Sequence, residues 1–372
     1  MIAPDRLRVT YQLTCAPGED PAARARDVAY EQTVELPPAC VPPDIAARMV
    51  GRVEALELVG GDRWRAVISY DPAAVGSEVP QLVNLLFGNV SLKPGVLVTR
   101  VDWPAALVER LGGPRFGIDG VRRLCGVTER RPLACTALKP IGRSAPQLAE
   151  LCRQFALGGI DVIKDDHNLA DQETAPFRER VARCQEAVMQ ANAETGGTSV
   201  YVPNLVSGSP RVVEQVELAR ATGCRGVMVS PLVVGLDTVH WLAQRSEMAV
   251  FAHPSLSGVF FRPGHGIAPE VLYGEIFRIV GSDGVIYTNS GGRFDFPQAV
   301  CDAINAKLRQ PLGAVRPAFP VPGGGVDAKR APYWIERYGV DTILLVGGSL
   351  YAQGDLVAAS RRLVEAIRRH AR

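Results

Sequence analysis

The residues best suited to chemistry lie in Gly158-Gly159-Ile160-Asp161-Val162-Ile163-Lys164-Asp165-Asp166-His167, an apolar run ending in a lysine, two carboxylates and an imidazole. Polar groups at the end of a buried strand are costly unless paired, metal-bound or catalytic. Asp166 and His167, with Asp165 nearby, offer oxygen and nitrogen ligands, and a mainly oxygen set suits Mg²⁺. Lys164 suits a cation site only if its amine has reacted with CO₂ to give a carbamate, an anionic oxygen ligand. A buried Lys164–Asp166 salt bridge accounts for the spacing equally well.

Other candidates recur at the ends of apolar runs. Lys139 precedes Pro140, where a desolvated amine beside a metal suits acid–base work. His253 is placed to bind phosphate or polarise a carbonyl, and a satisfied core histidine explains it nearly as well. His265, in Gly264-His265-Gly266, reads as part of a lid. Gly323-Gly324-Gly325 and Gly347-Gly348 end the last two apolar runs. Such turns bring backbone N–H groups to an anion, or simply turn tightly.

Positioning these groups requires eight strands. Apolar runs at Leu133–Lys139, Ile160–Asp166, Ser199–Val206, Gly226–Pro231, Ala249–His253, Gly284–Asn289, Arg316–Val321 and Thr342–Val346 alternate with amphipathic stretches. The latter include Ala145–Leu157, Pro176–Thr195, Pro210–Thr222, Ala268–Val280, Pro297–Leu308 and a closing Val357–Arg369. Alternation over about 240 residues predicts a parallel (β/α)₈ barrel, with its chemistry at the C-terminal strand ends. Strand-like runs at Leu7–Thr14, Trp64–Tyr70 and Gly95–Val101, with helices at Ala22–Gln32 and Gln81–Phe87, predict an N-terminal α+β domain. The expected domains are 1–130 and 131–372, with Pro114–Gly126 as a linker.

The 372 residues are 22% charged and 47% hydrophobic, with a formal net charge of +2. That composition suits a globular protein and points to neither nucleic acid nor membrane as partner. No apolar run reaches about 18 residues, the length of a membrane span. Met1–Arg6 lacks a signal-peptide layout, so a cytoplasmic location is expected. The eight cysteines form no Cys-x-x-Cys pair and read as small buried hydrophobes.

The strand Gly158–Asp166 resembles the metal-site strand of the RuBisCO superfamily, in which the lysine is carbamylated. Thr136-Ala137-Leu138-Lys139-Pro140 resembles its first-strand lysine motif. Gly88-Asn89-Val90 is similar to the segment that supplies an asparagine to the neighbouring subunit. Tyr201-Val202-Pro203-Asn204, Gly264-His265-Gly266-Ile267 and the two glycine clusters also match. The α+β domain would then be ferredoxin-like and the barrel catalytic.

The departures are informative. His167 stands where the carboxylases have glutamate, and Ile141 where they have a second lysine. Asn289-Ser290-Gly291-Gly292-Arg293 lacks the loop lysine that holds added CO₂. The chain therefore resembles a non-carboxylating, RuBisCO-like protein (form IV).

The resemblance implies Mg²⁺-dependent enolisation of a sugar phosphate, by an isomerase or tautomerase acting on a ketose of the 5-methylthioribulose-1-phosphate type. Decarboxylation of a 3-oxo sugar-acid phosphate (the 3-oxo-isoapionate-4-phosphate type) and a non-enzymatic binding or regulatory role are the alternatives. It implies a metal site of carbamylated Lys164, Asp166 and His167, where an imidazole would suit Mn²⁺ or Zn²⁺ better than Mg²⁺. Lys139, Lys164 and His253 would be catalytic. Arg293, Gly324, Gly325, Gly347 and Gly348 would hold substrate or phosphate. Asn89 and Lys93, with Glu31, would reach into the partner's site of a homodimer.

Overall fold

A computed structural model of the chain describes residues 6–76, 78–294 and 296–371. Met1–Asp5, part of the stretch used above to judge a signal peptide, lie outside the described residues. The chain forms two compact units. One holds the residues up to Gly112 with Ser257–Ile276 and Leu312–Val315, and the other holds the rest.

The first unit is built on a six-stranded sheet, in the order Phe261–Arg262, His265–Ile267, Val96–Asp102, Leu7–Thr14, Arg63–Tyr70, Arg52–Gly60. Leu7, Val9, Tyr11 and Leu13 are fully buried, the period of two that one covered sheet face imposes. The edge strand Arg52–Gly60 escaped the sequence reading because it is at most half-buried and its register shifts between Val53 and Ala55 and between Leu58 and Gly60, which breaks the period of two. His265 is not in a lid. It opens a short strand that runs parallel to Val96–Asp102. Gly266 has φ +124°, and a Cβ there would lie 1.8 Å from the Phe260 carbonyl oxygen. The helical run expected over 268–280 contains a π turn at Leu272–Ile276.

The second unit is a closed parallel barrel. Its strands are Leu133–Ala137, Val162–Lys164, Val200–Val202 continued by Asn204–Leu205, Gly226–Val229, Ala249–Ala252, Gly284–Thr288, Phe319–Gly323 and Ile343–Leu345. The third strand breaks at Pro203, which has no N–H to give. Its first part pairs with strand two and its second with strand four, so nine segments make eight strands. Strand seven starts later than the sequence suggested and pairs with strand eight only through Gly323 and Leu345. Pro320 and Pro322 alternate along it and remove the donors from one side.

Residues two apart face inward together, among them Leu133 and Cys135, Val200 and Val202, Ala249 and Phe251, and Phe319 and Val321. Residues 114–126 are not a linker. They contain a helix, Gly117–Leu124, whose Ile118 and Val121 join this interior cluster. Asp283 holds its start, accepting from the backbone N–H groups of Phe116 and Gly117 at 2.7 Å each. Near the start of strand two, Arg131 donates to both Asp161 oxygens at 2.8 Å. Among the described residues no helix is long and apolar enough to cross a membrane.

Candidate active site

The barrel brings Lys139, Lys164, Asp166, His167 and His253 together at one rim. Strand one registers Ala137 opposite Lys164 of strand two, which places Lys139 beside the residues that follow. Tyr351 fixes that strand end: its hydroxyl donates to the Ala137 carbonyl and accepts from the Lys139 N–H, both at 2.9 Å. No sequence signal pointed to this tyrosine, because its role depends on a contact with residues some 210 positions away.

Asp166 pairs with Lys139 rather than Lys164. Its other oxygen accepts from the Asn168 N–H at 3.0 Å and lies 3.3 Å from His167 Nδ1. Burial pushes the Asp166 carboxyl up, but the Lys139 ammonium and the Asn168 N–H outweigh it and hold it below the ordinary range. Lys164 is 4% exposed and donates to the Asp165 carbonyl at 3.0 Å. Burial lowers its pKa, favouring the uncharged amine.

Asp165 turns away from this group. Its carboxylate is fully buried against Arg180 (3.1 Å), the Tyr201 hydroxyl (2.9 Å) and the Asn204 N–H (3.0 Å). It anchors the strand and is not free to act as a ligand. Arg180 carried no functional signal in the sequence, and Tyr201 entered only as part of the Tyr201–Asn204 match, since the carboxylate that both meet comes from another element.

The His167 and His253 rings are stacked, 4.3 Å apart and inclined by 10°. Burial, outweighing the Asp166 charge, lowers the His167 pKa, and Lys164, Lys139 and Arg293 add to the effect. Burial, followed by the charges of Lys164, His167 and Lys139, pushes His253 well below its ordinary value. Both imidazoles are therefore neutral near pH 7. His253 Nδ1 is 2.9 Å from Ser255 Oγ and accepts from the Ser255 N–H at 3.3 Å. A neutral ring that accepts at Nδ1 carries its proton on Nε2.

The glycines at the rim differ in kind. Gly325 has φ +64°, and a Cβ would lie 2.7 Å from the Gly291 carbonyl oxygen; Gly324 has φ +105°. Gly347 and Gly348 have no positive φ, and a Cβ at either meets nothing within 4 Å. Packing does not demand glycine at either position. Arg293 is exposed on the loop after strand six, its guanidinium over the Phe294 ring. Cys135 is buried inside the barrel, its thiol pushed up to about 12 by burial, which makes it unfit as a nucleophile.

Asn89 and Lys93 belong to the first unit, where they gather around Glu31. Asn89 Nδ2 donates to Glu31 at 3.1 Å, and Lys93 Nζ lies 2.8 Å from Glu31 and 2.7 Å from Asp27.

The donor set at the rim fits a divalent cation on one condition. Among the described residues no three His, Cys, Asp or Glu side chains group as a metal site. Asp166 and His167 need a third donor, and the adjacent group is Lys164. Burial lowers the pKa of that amine, and the uncharged form of an amine is the one that reacts with CO₂.

The family description "Ribulose bisphosphate carboxylase large chain, catalytic domain" matches residues 117–368. The chain is 40% identical over 353 residues to ribulose bisphosphate carboxylase-like protein 1 of Rhodopseudomonas palustris, covering 94% of each. It is 38% identical to the 5-methylthioribulose-1-phosphate isomerase of Rhodospirillum rubrum, covering 94% of this chain and 93% of that one. A crystal structure of a Rubisco-like protein from Rhodopseudomonas palustris superposes with a TM-score of 0.90 at 35% identity, over 99% of both chains.

Proposed function

The chain belongs to the ribulose bisphosphate carboxylase large-chain family, and on that premise we propose that it enolises a phosphorylated ketose, as an isomerase of the 5-methylthioribulose-1-phosphate type. One observation carries the reading: Lys139, Asp166, His167 and a buried Lys164 meet at the C-terminal rim of strands one and two. Carboxylation is not part of it, because the loop after strand six offers no lysine to hold added CO₂.

In this reading Asp166, His167 and a carbamate on Lys164 hold Mg²⁺. Bound there, a divalent cation supplies positive charge where negative charge develops on the substrate oxygens. Lys139 moves the proton at the carbon next to the carbonyl, and its return at the neighbouring carbon completes an isomerisation. His253, with its proton on Nε2, donates to a substrate oxygen. Gly324, Gly325, Gly347 and Gly348 offer backbone N–H groups to phosphate, and Arg293 offers a guanidinium. Asn89 and Lys93, ordered around Glu31, complete the partner's site in a cytoplasmic homodimer.

The test incubates the protein with 5-methylthioribulose-1-phosphate, Mg²⁺ and bicarbonate in D₂O. Deuterium entering unconsumed substrate supports enolisation. Stoichiometric CO₂ release from a 3-oxo sugar-acid phosphate, without deuterium uptake by the ketose, transfers the assignment to decarboxylation. Lys164→Ala is expected to abolish turnover with the fold intact, and turnover surviving that change sinks the proposal.

A further inference from the structure

Lys164 and Asp166 have anchors of their own. Strand pairing registers Lys164 between Ala137 and Val202, and the Asp166 carbonyl accepts from the Leu169 N–H at 3.0 Å. His167 lies in the turn beyond the strand, and among the described residues no backbone–backbone hydrogen bond holds it. Its carbonyl is held instead by Asn204, just past the break in strand three. Asn204 Nδ2 donates to the carbonyls of His167 and Leu169, both at 2.9 Å, while its backbone N–H donates to Asp165. Asn204 is fully buried. Both side-chain partners are acceptors, so only the nitrogen end of the amide can face them.

We propose that Asn204 is a positioning residue for His167: by clamping the turn at its carbonyl, it sets the direction from which the imidazole meets a divalent cation. The inference rests on the metal reading above. Stacking on His253 restrains the plane of the ring, and Asn204 restrains the backbone from which the ring projects. Loss of a residue that orients a ligand typically weakens metal binding about 10–100-fold.

The experiment titrates Mn²⁺ into the full-length, bicarbonate-treated protein, following binding by electron paramagnetic resonance and the imidazole nitrogen coupling by its pulsed form. Asn204→Asp sets a carboxylate against the two carbonyls; Asn204→Ser removes the donor pair more gently and serves if the first variant does not fold. Both are expected to weaken Mn²⁺ about tenfold and to diminish the nitrogen coupling. In a His167→Ala background the same changes are expected to add nothing, because a residue acting only through His167 has no further effect once that ligand is gone. Wild-type affinity in both Asn204 variants overturns the inference, as does an equal loss with and without His167, which marks a merely structural role. Failure of the wild-type protein to bind Mn²⁺ overturns the metal reading itself, and this inference with it.

Discussion

Changing Asp165 and Asp166 separately to asparagine probes two adjacent carboxylates whose surroundings predict different losses. Asp165 and Arg180 are both fully buried and lie 3.1 Å apart. At an effective dielectric constant of about 20, that separation corresponds to an attraction of about 5 kcal/mol. Asparagine leaves the guanidinium buried without its countercharge, and breaking one side of such a pair costs roughly 3–5 kcal/mol. It also turns an amide donor toward a site where Arg180, Tyr201 and the Asn204 N–H already donate. For a barrel of this size each kcal/mol moves the melting temperature by about 2–4 °C, so Asp165→Asn is expected to lower it by about 6–20 °C. Asp166 pairs with Lys139, whose side chain is 44% exposed. Solvent screens that pair to about 0–1 kcal/mol, so Asp166→Asn is expected to shift melting by less than about 4 °C while abolishing Mn²⁺ binding. Calorimetric melting of the two variants, with a Mn²⁺ titration of each, decides. If Asp165→Asn melts with the wild type, or Asp166→Asn falls as far as its neighbour, the division of labour argued here is wrong.

Four further outcomes are expected. The folded-state pKa values of His167 and His253 lie below the ordinary 6.5. At these two sites the unfolded chain therefore binds more protons in the window below 6.5, and their contribution to stability falls as pH drops through it; buried Asp283, raised to about 6, acts in the opposite sense, so the check is the difference between wild-type and His253→Gln melting curves from pH 7.5 to 5, in which the wild type should lose more stability as pH falls. Gly348→Ala meets no atom within 4 Å, so melting should be unchanged while KM for the phosphorylated substrate rises about tenfold. Gly325→Ala must instead place a Cβ 2.7 Å from a carbonyl oxygen at φ +64°, and should lose at least about 1–2 kcal/mol of stability in denaturant titrations. Arg131→Met strands the Asp161 carboxylate at the start of strand two; a loss of about 3–5 kcal/mol of stability in denaturant titrations, with kcat and KM preserved at low temperature, is the expected pattern.

Residue order alone determined the barrel, because strands buried on both faces must be continuous apolar runs and their covering helices must be amphipathic. It also named the rim candidates Lys139, Lys164, Asp166, His167 and His253, since polar side chains ending apolar strands stand out against that pattern. It missed the edge strand Arg52–Gly60 and the helix Gly117–Leu124. The first is at most half-buried and its period is broken by two register shifts, and the second owes its place to contacts with the barrel interior and to Asp283, 166 residues away. Sequence could not tell whether Lys164 pairs with Asp166. Only the folded chain gives Asp166 to Lys139, leaves Lys164 on a backbone carbonyl and turns Asp165 into the wall against Arg180. Local sequence sets which side chains reach the rim, but the partner each one takes is decided by side chains from other strands and helices that meet it only when the barrel closes.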